Sequence, residues 1–361
     1  MEKFAAYFAG VPDPRAENAR HDLLEVIFIA LTALLCGAES CSDMADFGAA
    51  KLDLLRQILK LEHGVPSHDT FSRVFRLIDP ERFEAAFSGF ATAFAGPLQG
   101  VVAIDGKALR GAYERGCKAT PLHLVNVWAV EARAAVAQRL APGRNEVAGA
   151  LEAVALLDLS DCIVTADALH CRADMAAAIR GQGGHYVLAL KDNHPKLLAG
   201  AKAALDTGPV DEAVSEPIRS HGRSERRRAL VAVVQNFAEG RDFRDLVAVA
   251  RVETHRQVND QFEPTIVRHF LLSTPLPANR LLQVVRSHWT IENQLHWALD
   301  VTLDEDRARS RKDNAPQNLA TLRKLALNIL RRHPDKASLR RKIKRAGWDN
   351  AFLHDLIAQM R

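Results

Sequence analysis

Val101-Val-Ala-Ile-Asp105-Gly106 and Cys162-Ile-Val-Thr-Ala-Asp167 are the two stretches on which the reading of this chain turns. Each is a short apolar run, too brief for a helix, that ends on an aspartate. Such a run reads as a buried strand, and the aspartate as a strand-end carboxylate able to enter a cleft. Either one alone has an ordinary explanation, because aspartate commonly ends strands and caps helices.

The surrounding pattern makes the pair more than a coincidence. After Gly96, Pro97 and Gly100 the texture turns β-rich, with strands expected at Val101–Asp105, Leu122–Val130 and Ala134–Leu140. A helix follows at Glu146–Leu157, a strand at Cys162–Ala166, a helix at Arg172–Arg180 and a strand at Tyr186–Leu190. Three strands, then helix, strand, helix, strand, is the order of an α/β, ribonuclease H-like mixed sheet flanked by helices. Two aspartates ending strands of such a sheet can lie side by side.

Working outward, residues 1–98 carry helical spacing only, as in Leu23, Leu24, Ile27 and Leu31, and are expected to form an all-helical N-terminal domain. Its last helix, Thr70–Leu77 after the Pro66-Ser-His-Asp69 cap, bears Arg73 and Arg76 and is a candidate for a DNA groove. The domain is acidic, however, and structural packing is the simpler reading. Strand-like runs recur at Leu230–Val234, Leu246–Val252 and Ile266–Leu272, so residues 205–274 read as a β-rich insertion. Residues 99–204 and 275–361 then make up the core, with helices from Asn279 to about Leu299 and Ala315 to Arg332 and a basic C-terminal tail.

The chain has 361 residues and a formal net charge of only +4, but its charge is unevenly spread. Residues 1–95 hold nine basic and fourteen acidic side chains, and residues 305–361 fifteen and six. The tract from Arg331 to Arg345 suits a polyanion, whether nucleic acid or an acidic membrane, or simply a solvated helix. Cys36, Cys41, Cys117, Cys162 and Cys171 are scattered and odd in number, which indicates neither a disulfide framework nor a zinc site and fits a reducing cytoplasm. The apolar run Leu23–Cys36 is interrupted by Glu25 and too short to span a bilayer, and the first twenty residues lack a signal-peptide core.

The third carboxylate comes from Arg286-Ser-His-Trp-Thr-Ile-Glu-Asn-Gln-Leu-His-Trp297, where helical spacing puts His288, Glu292 and His296 on one face. A surface ion-pairing face or satisfied buried histidines would explain this segment in isolation. Beside two strand-end aspartates it suggests a site. Three carboxylates in one cleft repel one another, and hard divalent cations such as Mg²⁺ or Mn²⁺ relieve that repulsion. A pair of such ions supports in-line attack on phosphorus, which is phosphodiester chemistry. A zinc hydrolase is the competing reading, but the spacing is not H-E-x-x-H and both aspartates would go unused.

With these residues in place, the chain resembles DDE transposases of the ISAs type, the group of the H-repeat-associated proteins. The likeness is carried by DPR at 13–15, PSHDTFSRVF at 66–75, AIDGKALRG at 103–111, NEV at 145–147 and CIVTADA at 162–168. It continues through YVLALKDN at 186–193, HGRSERR at 221–227 and RSHWTIENQLHWALDVTLDED at 286–306. The resemblance implies a metal-dependent enzyme that recognises the terminal inverted repeats of its own element, cuts the ends and joins them to target DNA. It implies Asp105, Asp167 and Glu292 as catalytic metal ligands. It further implies double-stranded DNA as the partner, a homodimer when two ends are paired, no membrane, and a cytoplasmic, nucleoid-associated location.

Other polar residues are DNA-contact candidates: Lys107 and Arg110 after the first aspartate, Lys191 and Asn193 at a strand end, His288, and Arg340, Arg341, Lys342 and Lys344 in the basic tract. Trp289 and Trp297 are candidates for stacking on a frayed base, although helix tryptophans are usually core. The chain departs from its relatives in places. Val285, His288 and Leu299 stand where some of the wider group carry Tyr, Arg and Lys, and Asp167-Ala-Leu-His-Cys-Arg172 replaces a DAMGCQ segment. Two rivals share the fold: a stand-alone nuclease, and a transposase-derived DNA-binding protein without activity.

Overall fold

The computed structural model describes residues 2–17, 19–114, 117–220, 222–259 and 261–360, with all their side chains except those of 114, 117–120, 142 and 220. His221 of the HGRSERR motif and the Cys117 side chain thus lie outside the described residues. The chain opens with helices α1 (Glu2–Phe8), α2 (Leu23–Leu35), α3 (Cys41–Ala50), α4 (Leu52–Leu55), α5 (His68–Leu77) and α6 (Pro80–Ala95). Their starts follow local chemistry. Asp22 caps α2 by accepting from the Glu25 N–H, Ser40 and Asp43 form a reciprocal capping box on α3, and Ser67 caps α5. α6 ends at Gly96, whose φ of +85° suits glycine.

A mixed sheet follows. Its first strands are β1 (Gly100–Glu114), β2 (Cys117–Ala129) and β3 (Ala134–Leu140); then come α7 (Glu146–Val154), β4 (Cys162–Ala166), α8 (Ala173–Gly181), β5 (His185–Leu190) and α9 (Pro195–Thr207). The order β3-β2-β1-β4-β5, with β1–β3 antiparallel and β4 and β5 parallel to β1, is the ribonuclease H-like arrangement. Next are β6 (Asp211–Val214), β7 (Ile218–Ser220), β8 (Arg223–Val233), β9 (Ala248–Val258), β10 (Gln261–Phe262) and β11 (Ile266–Leu272). Because β11 pairs antiparallel with β5, the strands after residue 205 extend the core sheet instead of forming a separate one.

The chain closes with α10 (Ala278–His288), a π-helical turn (Ile291–His296), α11 (Trp297–Thr302), α12 (Ala315–Arg332), α13 (Leu339–Trp348) and α14 (Asn350–Ala358). Strand alternation sorts the sheet's faces. Val102, Ile104 and Val164 point into a core shared with α7, α8 and α9, whereas Ala103 and Trp128 point toward α12 and the N-terminal helices.

Two expectations need correction. The basic tract is no tail: α13 and α14 bury Ile343, Ala346, Leu353 and Leu356 in the same core as Phe4, Val26 and Phe71, so the two ends of the chain fold together across the boundary expected at residue 98. α5, as the simpler reading had it, is a packing element: it presents Phe71, Val74 and Phe75 to that core, and Arg76 is tied to Asp313 at 2.7 Å. Asp105, in turn, does not end its strand. The parallel partner β4 stops opposite Ile104, but β1 continues as a hairpin ribbon with β2, pairing Asp105 with Asn126 and Lys107 with Leu124. Among the described residues no helix is long and apolar enough to cross a membrane.

Candidate active site

Register places the two aspartates. Ile104 of β1 pairs with Ala166 of β4, so Asp105 and Asp167 are the next residues on adjacent parallel strands. By alternation Asp105 shares the face of Ala103, and Asp167 that of Thr165, the side on which α10 and the π turn cross. Glu292 lies in that turn, where the Trp297 N–H reaches back to the Glu292 carbonyl, five residues away. The sequence spacing implied an unbroken α-helix; the inserted residue re-aims the side chains, a device found often at functional sites. Asp105, Asp167 and Glu292 line one cleft together with Thr165, Lys191, Arg268, Phe270, His288 and Trp289.

The electrostatics of the cleft are those of crowded like charges. The Asp105 carboxyl is pushed up to about 7, first by burial and then by Glu292, with Asp167 and Glu146 adding to it. One oxygen of Asp105 accepts from the Gly106 N–H at 2.9 Å, and Asp167 accepts from the Leu169 N–H at 3.0 Å. Among the described residues no three His, Cys, Asp or Glu side chains are yet gathered tightly enough to chelate an ion. The donor set nevertheless fits a divalent cation: oxygen-only carboxylates sharing a cleft, one of them destabilised by its neighbours' charge.

The histidines are neutral spacers. His288 Nδ1 lies 3.0 Å from the Thr165 hydroxyl, tying α10 to β4, and burial pushes its ring down to about 4. His288 lines the cleft, but burial disfavours the cationic form of its ring. His296 sits with Nε2 at 3.2 Å from the Asn126 amide and Nδ1 at 3.7 Å from Asp105; burial, then Lys107 and Lys324, lower it to about 3.

Sequence reasoning missed the support behind Asp105 and Asp167. Glu146 holds His123 at 2.8 Å and approaches His170, whose Nε2 is 3.9 Å from Asp167. Gly106 makes the room, since a Cβ there would come within 2.3 Å of the Glu146 carboxylate. Gly111 does the same elsewhere in β1, where a Cβ would press 2.9 Å from the carbonyls of Asp306 and Ala308. NEV and AIDGKALRG were the available signals, but only the fold brings Glu146 to Asp105.

The DNA-contact candidates divide. Lys191 is exposed at the cleft, and Asn193 donates to the Ala168 carbonyl at 3.0 Å, bracing the loop after Asp167. Arg110, Arg340, Arg341 and Lys344 are exposed. Lys107 is not available: two residues beyond Asp105 on the same face of β1, it is buried 2.7 Å from Asp300, 3.2 Å from Asp306 and 3.3 Å from Glu305, outside the cleft. Lys342 is buried as well, donating to the carbonyls of Leu330 and His333 at the C-terminal end of α12.

With this geometry described, comparison with known proteins is informative. Residues 96–329 match the family described as Transposase DDE domain, and residues 5–91 the one described as DDE_Tnp_1-associated. The chain is 32% identical over 377 residues to the protein YbfL of Escherichia coli (strain K12), covering 99% of this chain and 98% of that one. It is equally similar, with the same coverage, to the "H repeat-associated putative transposase YhhI" of the same strain. A piggyBac transposase synaptic complex with hairpin DNA aligns at TM-score 0.43 and 11% identity, covering 98% of this chain and 77% of that one, a likeness too remote to build on. From its first helix to α12, the chain belongs to the DDE transposase family, as an insertion-sequence transposase.

Proposed function

We propose that this transposase cuts DNA at the terminal inverted repeats of its own element and transfers the cut strands to target DNA, with Asp105, Asp167 and Glu292 as the catalytic carboxylates. The observation carrying this reading is the register of β1 against β4, which sets the two aspartates side by side, with Glu292 close enough to raise Asp105. Mg²⁺ or Mn²⁺ bound there would polarise the phosphodiester and activate a water or a 3′-hydroxyl. The chain's own part is to hold three oxygen donors in a partly enclosed cleft, to keep His288 and His296 neutral so that they do not compete as cations, and to offer Lys191 to phosphate.

Arg110, Arg340, Arg341 and Lys344 would neutralise backbone away from the cleft, and Asn193 would position the Asp167 loop. A homodimer pairing two DNA ends, within the nucleoid of the cytoplasm, completes the proposal. The test is end cleavage and joining on a linear inverted-repeat substrate with Mg²⁺, beside a gel shift on the same DNA. Parental cleavage lost in Asp105→Asn with binding retained supports the reading. Cleavage without joining would leave a nuclease, and binding without cleavage by the parental chain an inactive relative.

A further inference from the structure

The HGRSERR motif has no part in the carboxylate chemistry, yet its described residues run onto β8, beside β9 and β11. Across these strands Ala229, Val252 and Arg268 are paired neighbours; the next rung on the same face holds Arg227, Thr254 and Ile266, and the next Glu225 and Arg256. The inner part of this face, with Ala229, Val231, Val252 and Phe270, packs under Leu281, Val284 and Val285 of α10. Farther out along the strands the apolar residues give way to arginines.

Arg268 lies over the Trp289 ring at 5.2 Å and lines the same cleft as Asp105, Asp167 and Glu292. Glu225 braces the other two, 2.6 Å from Arg227 and 3.1 Å from Arg256. Arg256 also reaches Glu263 at 3.6 Å, so three guanidiniums stand against two carboxylates. Among the described residues Arg268 has no acidic partner within ion-pair distance, and the buried Nη1 of Arg227 has no hydrogen-bond partner. Burial, then the charges of Arg227 and Arg256, hold the Arg268 guanidinium below its usual range, with Glu225 offsetting only part of this.

We propose that Arg227, Arg256 and Arg268, with Trp289, form a binding site for a single DNA strand at the edge of the catalytic cleft. The guanidiniums take successive phosphates, and Trp289, which is 40% exposed, takes the face of a base. A small anion would need convergent donors at one point; guanidiniums on successive rungs beside an exposed ring match a repeating phosphate and base. The site deepens the transposase reading, since DNA is its ligand, and it is separate from the exposed cations of α13.

The test uses the full chain in EDTA, where cleavage plays no part, with a labelled mixed-sequence oligonucleotide, single-stranded and duplex. Arg256→Gln with Arg268→Gln should weaken single-strand binding about tenfold or more and flatten the plot of log K against log salt by about 1 to 2. Trp289→Leu should cost a similar factor and reduce the quenching of tryptophan fluorescence by DNA. Arg256→Lys with Arg268→Lys should retain the salt slope. Parental affinity and slope in the Gln variant would overturn the proposal, as would equal losses in the Lys and Gln variants with a lowered melting temperature, which would mark a structural brace. Absence of cleavage by the parental chain would sink the catalytic reading and leave this result standing, because the binding is measured without metal.

Discussion

Two charged clusters, one holding Asp105 and the other Lys107, behave in opposite ways. In the cleft, Asp105, Asp167 and Glu292 meet with no Lys or Arg ion-paired to any of them among the described residues, only His296 beside Asp105 and His170 beside Asp167, and Asp105 is raised to about 7. Beneath it, Glu305 is fully enclosed, yet Lys324, Lys107 and Arg323 outweigh the cost of its burial and hold its carboxyl below the usual range. Lys107 reaches Glu305 at 3.3 Å, and Lys324 lies 3.8 Å from it while donating to Gln138 at 2.7 Å. A buried charge with partners is a structural joint, here fastening β1 to α12. One crowded by its own kind requires something from outside.

The sharpest way to break this comparison is to exchange its glutamates. Glu292→Gln should lower end cleavage by at least about a thousandfold, several kcal/mol of transition-state stabilisation, with gel-shift affinity little changed. Glu305→Gln should instead lower unfolding stability by about 3 to 5 kcal/mol in urea, because Lys107 and Lys324 would face a neutral amide. A stable, inactive Glu305→Gln protein beside an active Glu292→Gln protein would invert the assignment.

A subtler test uses the sign of the Asp105 shift. The folded chain holds this proton up to about pH 7, whereas the unfolded chain releases it near 3.8, the ordinary aspartate value. The native state binds more protons in that window, so without metal its stability falls as pH rises from about 4 to 7 and stays level above. Asp105→Asn should therefore stabilise the metal-free protein at pH 8 by about 1 to 3 kcal/mol, the gain fading near pH 4. A loss of stability at pH 8 would mean that the carboxylate is better compensated than the cleft suggests.

The smallest effect sharpens the same distinction among cations. Lys342→Met removes donors from two carbonyls and should cost about 1 to 2 kcal/mol in urea unfolding, leaving the salt dependence of DNA binding alone. Arg340→Ala with Arg341→Ala and Lys344→Ala should change stability by only about 0.5 kcal/mol but reduce the salt slope on every duplex. A loss confined to the cognate repeat would contradict backbone contact.

Local pattern carried the sheet far. The strands at Ala134–Leu140, Cys162–Ala166 and Ile266–Leu272 coincide with their apolar runs, and α5 starts at its Ser67 cap. The reading failed where a neighbour overrides local signals. Gly106 and Lys107 look like a strand end, yet β2 supplies a pairing partner for each. The basic tract looks solvated, yet one face of α13 supplies Ile343 and Ala346 to the helical core. An i, i+4 face at 288, 292 and 296 reads as one regular helix, and its spacing gives no sign of the π turn.

By itself the sequence determined the composition of the site: two apolar runs each ending on an aspartate, a glutamate in a helical segment, and motifs that name the family, because strand patterning and side-chain chemistry are local properties. Only the tertiary structure decided which charges meet. The register of β1 on β4, the π turn and the helices beneath fix whether a carboxylate lies beside another carboxylate or beside a lysine. Coulomb energy depends on that separation and on burial, and neither is written in chain order.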